Sequence, residues 1–263
     1  MDERAQPEWE VGVPTYRFTA SLLCMLLPAV ALADAPAFDR PGFAFATSTL
    51  PTGTFDWEQG LPDLQSDSTA GMHSTLYAAD TTVRFGLIET LEVQFSSAAW
   101  NRLDLRTART STTTQGVGDS GLALKWAPVL ANKDVSLAVL GGVTFATGDA
   151  AFTNGRPIYS AGATIARDLG AGRAVMMYAN VNHSGGTNTW TLAPSFSFAL
   201  TDQIGGYVEL GRTFGGGASS TMAGAGLTWL LHERVQFDIY ERHGITSGSP
   251  DRQAGFGISV FWN

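Results

Sequence analysis

Gln253-Ala-Gly-Phe-Gly-Ile-Ser-Val-Phe-Trp-Asn263 is the last stretch of the chain, and from Gly255 to Val260 its side chains alternate in size and polarity. Phe256, Ile258, Val260 and Trp262 occupy every second position, with Gly255, Gly257 and Ser259 between them. A period of two is the mark of a strand with one large apolar face and one small or polar face. A soluble domain rarely places its most apolar strand at a terminus, where chains fray into water. A barrel that closes on its last strand in a bilayer has reason to, because lipid accepts the apolar face and closure removes the free edge. This stretch is therefore expected to be the closing strand of a membrane barrel.

The rest of the chain fits that expectation. Only 15% of residues are charged, against about 25% in ordinary soluble domains, and there are 30 glycines among 263 residues. The 44% hydrophobic content is spread in short alternating runs, as in β-barrels and unlike helical membrane proteins. A net charge of −8 leaves no basic surface for phosphates, so no nucleic-acid partner is expected.

The long apolar run is Phe18–Ala33, preceded by Arg17 and ending in Ala31-Leu32-Ala33. It reads as a secretory signal peptide cleaved between Ala33 and Asp34, making residues 1–33 an N-terminal extension plus leader and residues 34–263 a single barrel domain. Asp2, Glu3, Glu8 and Glu10 make the first residues acidic where a leader is normally basic, so translation is expected to start nearer Arg17. Cys24, the one cysteine, lies in the leader. The mature chain then crosses an oxidising periplasm with no thiol to mispair.

Twelve strand-like runs follow, near Gly42–Pro51, Ala79–Ile88, Thr90–Trp100, Gly116–Pro128, Val135–Thr147, Ile158–Asp168, Ala174–His183, Asn188–Leu200, Gln203–Phe214, Thr221–Leu231, Arg234–Arg242 and Arg252–Trp262. Most have about 10 residues, enough for a tilted strand to cross a bilayer. Long and short connections trade places along the chain, as between the outer and periplasmic rims of outer-membrane barrels. The expected fold is all-β: a 12-stranded, antiparallel, up-and-down transmembrane barrel, with the last strand pairing to Gly42–Pro51. Trp100, Trp126, Trp190, Trp229 and Trp262 fall near strand ends, where indole rings form interfacial girdles.

One face of the alternation carries large apolar groups such as Val83, Phe85, Phe95, Leu124, Phe196 and Phe237. The other carries Arg84, Glu92, Gln94, Asp119, Lys125, Tyr178, Asn180, Asn182, Tyr207, Glu209, Gln236, Asp238 and Tyr240 among small residues. These thirteen are expected to line the lumen. Two readings of their charges stay open: a selectivity lining for passing solutes, or mutual neutralisation that seals a narrow barrel. The long stretch Thr52–Ala78, with Asp56, Glu58, Asp63 and Asp67, reads either as a constricting loop or as an acidic surface loop. Sequence is silent on whether Asp34–Pro41 enters the lumen.

Three motifs carry a family resemblance. They are Arg84-Phe85-Gly86-Leu87 with Leu91-Glu92-Val93, Gly116-Val117-Gly118-Asp119 leading to Leu124-Lys125-Trp126, and Val235-Gln236-Phe237-Asp238 with Pro250-Asp251 and Gly255-Phe256-Gly257. Together they resemble the outer-membrane transporter family associated with the meta-pathway of phenol degradation, over roughly the whole mature chain. The resemblance implies a twelve-stranded channel passing small, often aromatic, compounds. Phe256, Ile258, Val260 and Trp262 also resemble the C-terminal signal read by the outer-membrane assembly machinery, although Asn263 follows the usual terminal aromatic position.

Enzyme chemistry is not expected. His183 and Ser184 are adjacent, so on a strand they point to opposite faces, and no Gly-x-Ser-x-Gly elbow or phosphate-binding loop is present. His73, His183 and His243 fall near one rim without ligand spacing, and no metal or cofactor is expected. Expected partners are the lipid bilayer, the assembly machinery and a small-molecule solute. The alternative is a structural or adhesive barrel with a closed lumen and ligand-binding loops.

Overall fold

The computed structural model describes residues 37–263. The leader, Cys24 and the cleavage position lie outside the described residues.

The described chain contains one closed antiparallel sheet. Its segments are β1 (Phe55–Thr69), β2 (Met72–Ile88), β3 (Leu91–Arg106), β4 (Ser111–Gly116), β5 (Ser120–Trp126), β6 (Val135–Phe145), β7 (Ile158–Gly170), β8 (Arg173–Ser184), β9 (Thr187–Ala199), β10 (Ile204–Gly215), β11 (Ala218–His232), β12 (Val235–Gly244) and β13 (Arg252–Trp262). Both β4 and β5 pair with β3, one above the other, so the thirteen segments build twelve barrel strands. Each strand pairs with its sequence neighbours, and β1 closes the ring against β13, with Phe55 opposite Trp262 and Gly60 opposite Gly257.

Alternation sorts the side chains. Phe85, Phe95, Leu124, Trp126, Val208, Leu227, Ile239, Phe256 and Trp262 are exposed on the outer face. Closure satisfies the backbone, so the apolar exterior and polar interior suit a bilayer.

The first strand departs from expectation. Gly42–Pro51 does not join the sheet; residues 37–51 run through the barrel interior, and Thr52–Thr54 turn at the rim before the chain enters β1. Period two reports an extended backbone with alternate residues on opposite sides, and an extended plug satisfies it as well as a strand does. The presumed acidic loop Thr52–Ala78 is instead the hairpin β1–β2, turned at Ala70-Gly71, both with positive φ (51° and 78°) as a two-residue turn requires. Its acidic residues looked solvated, but Asp56, Glu58 and Asp63 point into the barrel. A register irregularity between Gly60 and Asp63 accommodates Leu61 and Pro62, keeping Asp63 inward. The closing strand therefore pairs with Phe55–Ser66 and not with Gly42–Pro51.

Connection lengths also differ from expectation. Much of Asn101–Gln115 belongs to β3 and β4, and the links at Ala70-Gly71, Gly185-Gly186 and Gly216-Gly217 are two-residue turns. Long and short links do not alternate strictly. The orientation follows from the chain path, in which the C-terminus and the end of the plug share one rim with the turns near Glu89, Ala171 and Asp202.

Candidate functional site: the occupied lumen

Three clusters of side chains hold residues 37–51 inside the barrel. The first surrounds Arg84 on β2. Its guanidinium donates to Glu92 on β3 at 2.8 and 3.0 Å, to Asp56 at 2.9 Å and to Glu58 at 3.0 Å on β1, and to the Ala37 carbonyl at 3.2 Å. Lys125 on β5 bridges Glu92 at 3.1 Å and Asp39 of the plug at 2.8 Å. Carboxylates then clamp the plug backbone: Glu58 accepts the Asp39 and Arg40 N–H groups at 2.8 and 2.7 Å, and Glu92 accepts that of Leu50 at 2.8 Å. Gln94 donates to both Asp39 and Glu92 at 2.8 Å. Arg84, Lys125, Asp56, Glu58 and Glu92 are all buried, where such charges persist only if paired and hydrogen-bonded.

The second cluster is centred on the plug's own Arg40. Its guanidinium forks onto Asp63 at 2.7 and 3.0 Å and reaches Asp238 on β12 at 3.2 and 3.3 Å. Gln236 donates to the Arg40 carbonyl at 3.1 Å. In the third, Glu209 on β10 accepts from Arg242 at 2.6 Å and from the Phe43 N–H at 3.0 Å. The Arg242 guanidinium lies over the rings of Phe43 and Tyr240 at 4.2 and 4.4 Å, a cation–π arrangement. Phe45 meets Tyr178 edge-on at 5.6 Å.

The apolar contact comes at the plug's two ends. Phe38, Leu50 and Phe261 form a buried cluster with Leu230 against it. Phe261 is the inward neighbour of Trp262, a role the closing-strand pattern did not assign it. Gly86 permits the exit of the plug, since a Cβ there would collide with the Leu50 and Pro51 carbonyl oxygens.

The expected lumen residues divide accordingly. Arg84, Glu92, Gln94 and Lys125 meet in one cluster, and Gln236 and Asp238 join Arg40. Tyr240 and Glu209 share Arg242, and Tyr178 packs on Phe45. Asn180 donates to Asn182 at 3.0 Å, and Tyr207 is buried with its ring over Gly226. Asp119 stands apart, in the break between β4 and β5. It accepts the N–H groups of Gly148 and Asn154, both at 2.9 Å, and so pins the loop after β6. Burial opposes its ionisation, but these donors outweigh that and hold its carboxyl below the usual range. Asp39, Arg40, Asp56, Glu58, Asp63 and Arg242 were not singled out for the lumen from sequence. The alternation Phe55-Asp56-Trp57-Glu58 was the available signal.

The rim histidines are separate. His73 contacts Ser68, His183 contacts Asn188, and His243 contacts Glu241. Ser184 donates to the Pro157 carbonyl at 3.0 Å and not to His183. On the outer face of the closing strand, Trp262 stacks on Phe55 at 4.9 Å.

A closed twelve-stranded barrel with an apolar coat and a polar interior defines an outer-membrane β-barrel protein. Residues 38–261 match the family described as "Putative MetA-pathway of phenol degradation", and the chain belongs to it. Among solved structures, an outer membrane channel from Pseudomonas putida F1 is 14% identical, with a TM-score of 0.64 over 85% of this chain and 99% of that one. The KdgM porin, solved in complex with disordered oligogalacturonate, is 7% identical, with a TM-score of 0.55 over 80% and 99%. The β domain of the Bordetella autotransporter BrkA is 12% identical, with a TM-score of 0.53 over 80% and 100%. At these identities the likeness is one of fold. No curated protein sequence matches the chain.

Proposed function

We propose that this protein is a passive outer-membrane channel for small solutes, aromatic or hydrophobic compounds among them, with its N-terminal segment as a built-in constriction. One observation carries the reading: among the described residues, 37–51 enter no strand of the barrel, and side chains hold them in the lumen. A ladder-bonded strand cannot leave without opening the wall. A tethered segment can shift while the wall stays closed. The channel and porin among the solved structures of like fold support the reading, as does the family's link to phenol degradation. Lumen residues Arg84, Glu92, Asp238 and Glu209 then act chiefly as docking groups for the plug, and selectivity is set by the space left beside it. We further propose export by a leader cleaved after Ala33, and use of Phe256, Ile258, Val260 and Trp262 as the assembly signal.

The paired charges favour a second reading, a barrel whose lumen stays closed. Planar-bilayer conductance and liposome swelling separate the two. A channel gives discrete steps that grow when residues 37–50 are deleted; absence of flux in both forms refutes it.

A further inference from the structure

The charged side chains of strands β10 to β13 divide between the two faces of the wall. Glu209, Asp238 and Arg242 point into the lumen, where the plug and one another's charges hold them. Arg212, Glu241 and Arg252 fall in step with the apolar outer residues, toward the rim opposite the C-terminus. An even-stranded barrel inserted from the periplasm keeps its chain ends on that side, so the opposite rim meets the outer leaflet.

Arg212 differs from the other two. It is half-buried on the outer face of β10, with exposed Leu210 a step below it, exposed Leu192 opposite it on β9 and exposed Trp190 a step above. Its guanidinium donates to Thr221 Oγ1 at 2.9 Å and to Ser219 Oγ at 3.2 Å, both on β11. Among the described residues no carboxylate pairs with it. A cation on the lipid face is costly unless an anion or water completes it. A guanidinium has five N–H donors, so two hydroxyls fix its orientation and leave donors for a further acceptor.

Three strands away, Arg252 meets Glu241 at 2.7 Å, and Glu241 also contacts the His243 ring at 2.9 Å. Strand spacing and register put Arg212 and Arg252 about 15 Å apart along the wall. From Glu241 and Arg252 the outer face is hollowed into a groove of about 540 Å³. Val208, Leu227, Ile239 and Phe256 wall it, and the small side chains of Ala225 and Ala254 leave the hollow.

We infer that this face is a docking site for lipid A, the acylated disaccharide of the outer leaflet that carries a phosphate at each end. One phosphate takes the Arg212 fork set by Thr221 and Ser219. The other reaches Arg252, and an acyl chain lies in the groove below. A glycerolipid with one phosphate can engage only one of the two arginines. The site lies outside the lumen, so it stands whether or not the barrel conducts.

Native mass spectrometry of the purified full-length barrel in detergent tests the site with three probes: lipid A, lipid A stripped of both phosphates, and phosphatidylglycerol. Lipid A should give saturable one-to-one binding, and the other two should bind at least about tenfold more weakly. Arg212→Gln should weaken lipid A binding by about tenfold or more, the worth of hydrogen bonds between charged groups. Arg252→Gln should weaken it by about threefold, because Glu241 already shares that cation. Arg102→Gln, at an exposed arginine on β3 paired with Asp104, should leave it unchanged. Heat-modifiable gel migration confirms that each variant is folded, and the comparison of lipids on the unaltered chain needs no variant. Equal binding of the dephosphorylated lipid, equal binding of phosphatidylglycerol, unaltered affinity in both Arg212→Gln and Arg252→Gln, or an equal loss in Arg102→Gln would each overturn the site.

Discussion

Replacing Arg40 by alanine tests how the plug is held. In the docked state its guanidinium makes four contacts of 2.7–3.3 Å with Asp63 and Asp238, and the Asp238 side chain is fully buried. Arg40→Ala leaves both carboxylates under the plug with no cation. Removing one partner of a buried ion pair typically costs about 3–5 kcal/mol. Arg40 is 16% exposed, so the lower end, about 3 kcal/mol, applies. The undocked state has already lost these contacts, so the whole cost falls on docking. It should raise the undocked fraction by about 10². Single-channel recording should show larger or more frequent openings, while gel mobility confirms that the barrel is folded. A second assay uses cysteine chemistry: in a Cys24→Ser background, Ala46→Cys reports plug exposure by its maleimide labelling rate. That rate should rise when Arg40→Ala is added. Unchanged conductance together with unchanged labelling would refute the tether.

Other outcomes follow from the same contacts. Arg84→Ala should lower the barrel's thermal stability by about 3–5 kcal/mol, because Asp56, Glu58 and Glu92 lose their shared cation; an unchanged melting temperature would mean that water serves them instead. Trp262→Asp should sharply reduce heat-modifiable protein in the outer membrane, since it puts a charge on the lipid face and ends the stacking with Phe55. Wild-type yield would count against the assigned role of the closing strand. Phe261→Ala should loosen the plug by about 3 kcal/mol through loss of the buried contacts Phe261 makes with Phe38 and Leu50, visible as faster labelling at Ala46→Cys. The lowered pKa of Asp119 means that its hold on Gly148 and Asn154 is complete above the ordinary aspartate range and is lost as pH falls through the lowered value. Corrected hydrogen exchange of residues 148–154 should therefore stay flat from pH 8 to 5 and rise only in strong acid. A rise near pH 6 would exclude Asp119 as the cause.

Much of the barrel was legible because each later strand obeys period two on its own. Phe237-Asp238-Ile239-Tyr240 states its two faces without reference to any other segment, and the structure keeps Asp238 in and Ile239 out. The same rule misled at the start of the chain. Phe43 and Phe45 alternate with Gly42, Ala44 and Ala46 as a strand would, yet they serve Arg242 and Tyr178 inside the barrel. Asp56 and Glu58 alternate with Phe55 and Trp57, but Pro51, Gly53, Gly60 and Pro62 around them read as a loop.

The class of fold, the apolar coat and the closing strand are written in the local spacing of side chains along the chain. Which extended segment became a strand and which became the plug was decided only in three dimensions. Arg40 finds Asp238 across 198 residues and Phe43 finds Glu209 across 166. Those pairings exist only once the sheet has closed and brought β1, β10 and β12 around one axis. Local pattern specifies extended backbone and its faces; the closed barrel decides what each extended segment can pair with.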